Sequence, residues 1–243
     1  EWMGLPRMDG PSAFAAMLDR DAGHFRLTPA NVTVPAGRRY LPGTMVLETT
    51  WGTRTGWVIV RDVLLIGPWH HDHDRSHTHR RPPAGWGAGH GLRRTMRCVT
   101  GSVEMVLDCK PMLDYGTKRV SWEYSGDGYS ELEGTAPECD TTVRLTTDLR
   151  LGIEGDRVRG RTTMRDGDLA FVAMSWSEHP APQTYDEAHQ RLTGTADYWH
   201  EWLSRGEFPD HPWRGYLQRS ALTLKGLSYA PTGAMCAAAT TSL

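Results

Sequence analysis

The sequence predicts a mainly β protein, a large antiparallel β-sandwich followed by helices. Three observations carry that expectation. Short runs alternating apolar and polar residues recur through about 150 residues. Breaks rich in Gly, Pro and Asp separate them, as turns between antiparallel strands require. After Pro180-Ala181-Pro182 the apolar period lengthens from two to between three and four, the helical spacing.

Taken in order, "DGPSAFAAML" predicts a short helix, with Asp9 as cap, Pro11 in the first turn, and Phe14, Met17 and Leu18 on one face. Strands are expected at "MVLETTW" (45–51) and "GWVIVRDVLLIG" (56–67). "LRRTMRCV" and "VEMVLDC" read as a hairpin turning at Thr100-Gly101-Ser102. In its second arm Val103, Met105, Leu107 and Cys109 alternate with Glu104 and Asp108, giving one buried and one wet face. "RVSWEYS", "TTVRLTTDL", "LGIE", "RVRGRTTM" and "LAFVAMSW" continue the series, with Gly155-Asp156 and Asp166-Gly167 as turns. So many short strands stack as two sheets.

"TYDE" (184–187) is a capping box, in which the Thr184 hydroxyl and Glu187 carboxylate reciprocally satisfy free backbone N–H groups. Ala188, Leu192, Ala196, Trp199 and Leu203 form the apolar stripe, Gly194 is a candidate break, and Gly206 a stop. Asp210-His211-Pro212 opens another helix, with Trp213, Leu217, Ala221 and Leu224 on one side, ended by Tyr229-Ala230-Pro231. The expected organisation is a sandwich domain over 1–180, a helical linker over 181–211, and the first helix of a further domain over 212–243. A stripe this apolar needs partners, and no later segment supplies them, so the chain is expected to be the front part of something longer.

A net charge of −2, from 27 basic and 29 acidic residues, excludes a broad basic field for nucleic acid or anionic membrane. No stretch has the length of a membrane-spanning helix and no signal peptide opens the chain, which reads as cytoplasmic. Cys98, Cys109, Cys139 and Cys236 lack C-x-x-C spacing and read as reduced, buried thiols. Sandwich edges and exposed helices favour a homo-oligomer.

The densest polar cluster is "PWHHDHDRSHTHRRPP" (68–83), where Trp69, His71, Asp72, His73, Arg75 and His77 are candidate binding residues. Imidazole and carboxylate at this density suit a divalent metal, yet the H-x-H-x-D-H motif is not met. The same groups suit sugar hydroxyls, and a solvated loop accounts for them too. Trp69 and Trp86 flank the cluster and suit sugar faces, whereas Trp199 and Trp202 sit on the helical stripe and read as core. No carboxylate pair for acid–base catalysis is identifiable. Glu48, Glu104, Glu123 and Glu201 each occupy a position that reads as solvated.

Three stretches resemble one family. "RRYLPGTMVLETTWGTRTGWVIVRDVLL", "GLPRMDGPSAFAAMLD" and "W…LQRSALTLKGLSYAPTGAMCAAATTSL" resemble the N-terminal region of glycoside hydrolase family 15, the glucoamylase and trehalase family. The histidine loop looks most like that of its actinobacterial trehalase branch. The resemblance implies a β-sandwich joined by linker helices to an (α/α)6 barrel, of which 212–243 would be the incomplete start. It implies inverting hydrolysis of an α-glucosidic bond by two carboxyl groups roughly 6.5–9.5 Å apart, both beyond residue 243, so that this stretch alone would be inactive. The implied substrate is trehalose, with a glucoamylase or dextran-type glucosidase as the same-fold alternative and a stand-alone carbohydrate-binding or assembly module as the other. It implies phosphate and magnesium dependence without placing either ligand; Thr240 and Thr241 stand where the family's chain enters the barrel mouth, with a small-residue segment packed under the helix as the alternative.

Overall fold

Alternation along the chain decides most of the architecture. The computed structural model describes residues 2–66, 90–126, 128–176, 180–229 and 232–238. Its early strands are β1 Met3–Gly4, β2 Ser12–Phe14, β3 His24–Pro29, β4 Gly37–Tyr40, β5 Leu47–Gly52, β6 Gly56–Leu64 and the long β7 Gly91–Lys110. After a short turn of helix, α1 Leu113–Gly116, come β8 Lys118–Arg119, β9 Ser121–Tyr124, β10 Glu131–Thr135, β11 Val143–Thr147, β12 Leu151–Glu154, β13 Arg157–Arg165 and β14 Leu169–Ser175. Two helices follow, α2 Tyr185–Ser204 and α3 Arg214–Gly226.

The expected hairpin at Thr100-Gly101-Ser102 does not form. Instead β7 runs straight through, and the two halves belong to different layers of the sandwich. Residues 92–101 pair with β6 on one side and residues 91–97 with β14 on the other. Residues 102–110 pair with β13 and β3. The switch is made at Gly101, whose φ of 75° is open to glycine and strained for other residues. A Cβ there would lie 2.0 Å from the Thr55 carbonyl oxygen, so only glycine lets β6 close against β7. Asp166-Gly167 likewise does not reverse the chain, since β13 and β14 both run antiparallel to β7. It is a bulge at the same level, held by hydrogen bonds between Gly167, Asp168 and the backbone of Cys98. Gly155-Asp156 is a true hairpin turn, joining β12 to β13.

One sheet therefore has the order β4-β5-β6-β7-β14-β11-β10-β9, and the second consists of β3, the far half of β7, β13 and β12. Both send side chains into a common core: Val58, Val60, Met96, Val172 and Met174 from the first, Phe25, Met105, Leu107 and Val158 from the second. Val103, Met105, Leu107 and Cys109 are all buried, as their spacing predicts. Arg94 stacks on the Phe25 ring at 4.3 Å, donates to the Phe25 carbonyl, and pairs with Asp62 at 3.0 Å, tying the layers together.

The helix expected over residues 9–18 does not form. Ser12, Ala13 and Phe14 are all buried and extended, because Phe14 stacks on Phe25 at 6.0 Å and draws the segment into the core. Met17 and Leu18 are exposed in the following turn. Strands β3, β4 and β10 carry weak alternation and no sequence expectation. No two of the four cysteines form a disulfide; Cys98 and Cys109 are buried, whereas Cys139 and Cys236 are half-buried.

Helix α2 covers the outer face of the first sheet. Ala188 packs with Phe171 and Ala173, and Leu192 with Val46 and Val63, so the helical stripe finds the surface it requires. Gly194 does not break it: the helix runs continuously from Tyr185 to Ser204. The capping box closes with one difference: the Thr184 hydroxyl accepts from the Glu187 N–H at 3.2 Å, whereas the Glu187 carboxylate reaches the N–H of Gln183 at 2.7 Å.

Candidate functional site on the helix-bearing face

Residues Trp69, His71, Asp72, His73, Arg75 and His77, with Trp86, Thr240 and Thr241, lie outside the described residues. Their described flanks are well placed. Leu65 donates to the Gly91 carbonyl at 2.9 Å, so the two ends of segment 67–89 leave and return side by side. Ile66 packs beside Tyr198, Trp199, Leu203 and Leu222 under the helices. His90 accepts from the Trp176 N–H at 3.1 Å, and the Trp176 indole donates to the Pro6 carbonyl at 2.9 Å. The Tyr229 hydroxyl donates to Asp9 at 2.8 Å, and Arg7 lies over its ring. These bonds gather the N-terminal turn, the base of the histidine segment and the turn after α3 at one end of the molecule. Among the described residues, no group of three His, Cys, Asp or Glu side chains is arranged to hold a metal ion.

Glu48 is not solvated, contrary to the reading of its strand position. It is buried on the outer face of the first sheet, and register explains why: Arg39 and Arg61 stand directly opposite on β4 and β6. One carboxylate oxygen takes Arg39 at 2.7 Å and the other takes Arg61 at 2.9 Å. Burial pushes the carboxyl upward, but the two guanidinium groups outweigh it and hold Glu48 below the usual carboxylate range. A buried carboxylate with both oxygens engaged by guanidinium groups is an electrostatic clamp, not a proton-transfer group. Only the strand register reveals this triad; spacing along the chain does not. Glu123 and Glu201 are exposed as expected, and Glu104 is half-exposed and pairs with Arg161.

On the same face Arg93 is fully buried, donating to the Met174 carbonyl at 2.9 Å. Burial, with the nearby Arg191 charge, lowers its pKa to about 10. Arg219 of α3 lies over the Tyr40 ring at 4.3 Å and ties α3 to β4.

Helix α3 is the exceptional element. At about 100° per residue, Trp213, Leu217 and Leu224 share one side and Leu222 sits roughly opposite. Leu222 is the buried residue, packed among Tyr198, Trp199 and Leu203. Trp213 is 61% exposed, Tyr216 69%, Leu217 43% and Leu224 49%. The helix starts at Arg214 and not at Asp210, whose side chain caps nothing; the His211 ring accepts from the Trp213 N–H at 3.2 Å instead. A row of large apolar side chains in water is the signature of a surface that binds protein.

A two-layer antiparallel sandwich with helices laid on one sheet, the outermost presenting an open apolar side, is the class of domain this chain forms. Residues 1–64 match the family described as Trehalase-like, N-terminal. Along its whole length the chain is 59% identical to a protein named Trehalase from Mycolicibacterium smegmatis, covering 37% of that protein. It is 56% identical to Trehalase from Mycobacterium tuberculosis, covering 36%. A more distant relative, Trehalase from Thermoplasma volcanium, is 26% identical over the entire chain, which covers 36% of it. The chain is thus similar from end to end to the N-terminal part of actinobacterial trehalases, and spans little more than a third of the length of these curated relatives.

Proposed function

We propose that the chain is the N-terminal portion of an α,α-trehalase, which hydrolyses trehalose to two glucoses in trehalose catabolism in the cytoplasm. The observation that carries this reading is the 59% identity to the Mycolicibacterium smegmatis trehalase along the whole chain. In this reading, residues 1–180 are the sandwich domain, 181–211 the linker, and 212–243 the start of an (α/α)6 barrel of the glucoamylase-like kind. The exposed side of α3 supports it, because it supplies an apolar seat for following helices. The general acid and base come from that later part, consistent with a described region whose one buried glutamate is locked by two arginines. The histidine segment and residues 240–241 contribute to the trehalose pocket. Among the described residues, no group of three His, Cys, Asp or Glu side chains is arranged to hold a magnesium ion.

The test is to incubate the full-length protein with trehalose and with maltose, with and without phosphate and magnesium, following glucose by NMR. Release from trehalose with inversion at the attacked anomeric carbon is expected. Turnover of maltose alone would replace the reading with a glucoamylase. No turnover of either sugar would favour a binding or assembly module.

A further inference from the structure

We propose that a hollow between residues 2–22 and 110–119, at the end of the second sheet, binds a neutral carbohydrate, a single pyranose ring or a short oligosaccharide. Its volume, about 550 Å³, lies in the range of small-molecule sites. Trp2 and Tyr115 line it, with Ala15, Leu18 and Met112 completing an apolar wall. Such a wall accepts the C–H face of a sugar ring against an aromatic surface.

Tyr115 is placed there at a cost. Asp114, Tyr115 and Gly116 have φ values of 52°, 57° and 87°, three successive left-handed residues of which two are not glycine. Each non-glycine residue in this region costs about 1–3 kcal/mol and persists only where its surroundings hold it. The Thr117 hydroxyl bonded to the Asp114 carbonyl at 2.6 Å does so here. The outcome is a phenol half-exposed at the mouth of the hollow.

The polar groups are equally informative. Ser12 is 1% exposed and lines the hollow, and its hydroxyl has no hydrogen-bond partner. A buried hydroxyl left unmatched is expensive, and a ligand hydroxyl would satisfy it. The Asp21 carboxylate also lines the hollow, is exposed, and makes no ion pair among the described residues. Two carboxylates, Asp19 and Asp21, stand against two cations, Lys110 and Arg119, and both cations face Asp156 at 3.4 and 3.8 Å. An anionic ligand would have to compete with Asp156, and a cation would meet Lys110 and Arg119. An apolar ligand would leave the buried Ser12 hydroxyl unmatched. A buried unmatched hydroxyl and an exposed carboxylate beside aromatic side chains, with both cations already engaged by Asp156, match a neutral polyhydroxylated ring. The proposal does not depend on the enzyme activity proposed above.

The experiment labels the full-length protein with 5-fluorotryptophan and follows the Trp2 resonance, assigned by its loss in Trp2→Phe. Glucose and maltose are titrated, with choline and inorganic phosphate as charged controls. The Trp2 signal is expected to shift saturably with a sugar and with neither control. Asp21→Ala and Ser12→Ala are expected to weaken that binding at least about tenfold with unchanged thermal unfolding, since one side chain is exposed and the other unpartnered. A Trp2 signal unmoved by both sugars, moved by choline or phosphate instead, or titrating identically in both variants would overturn the site.

Discussion

The sandwich interior and the outer side of α3 are made of the same kinds of residue and meet opposite fates. Met105, Leu107 and Val58 are wholly removed from water. Trp213, Leu217 and Leu224 are not, although they are as large and as regularly spaced. The sandwich satisfies its own apolar surface because each strand of one layer finds a counterpart in the other. Helix α3 satisfies only Leu222. The contrast shows which part of the chain is energetically closed and which part is built to meet something else.

Truncations break or sharpen that contrast in order of size. Leu107→Ala in the core is expected to cost about 2–5 kcal/mol in denaturant unfolding, from lost transfer energy and the cavity left behind. Glu48→Gln is expected to cost about 1–3 kcal/mol, because two guanidinium groups lose their charged acceptor. Its pH dependence has a fixed sign. The folded carboxyl lies below its ordinary 4.5, so the clamp contributes fully above that pH and is lost as pH falls through the lowered value. The gap between wild type and Glu48→Gln is therefore expected to close in acid, read from unfolding midpoints across pH 3–7. Thr184→Ala, which removes the α2 cap, is expected to cost about 1 kcal/mol by the same measurement. Leu224→Ala in the 243-residue chain is expected to change stability by less than about 0.5 kcal/mol. A Leu224 effect as large as that of Leu107 would erase the distinction between the two regions.

The sequence exposes features whose cause is local. Val103 to Cys109 alternates, and the structure buries the same residues. The stripe from Ala188 to Leu203 and the capping box at Thr184 form as spaced, since helix geometry is set within a few residues. Features that depend on distant partners stay hidden. Gly101 looks like a hairpin turn because its backbone freedom is visible, whereas Thr55, which makes it a crossing point between layers, is 46 positions away. Glu48 looks solvated because nothing nearby in sequence announces Arg39 and Arg61 across the register. Phe14 suggests a helix by spacing with Met17 and Leu18, and only its contact with Phe25 makes the segment extended. Of the site, Trp69, His71, Asp72, His73, Arg75, His77, Thr240 and Thr241 remain expectations from sequence. The apolar side of α3 was legible as a stripe, and its open side became visible only once the sandwich was in place.

The most direct test places a cysteine at Leu217 or Leu224 and measures its reaction with a thiol reagent site by site by mass spectrometry. The comparison is between the 243-residue chain and the longer protein, each in the native state. The account predicts rapid labelling in the 243-residue chain and protection of at least about a hundredfold in the longer protein, where later helices cover α3. Equal labelling in both would show that this side of α3 faces water throughout, and would contradict the proposal that α3 seats a catalytic barrel.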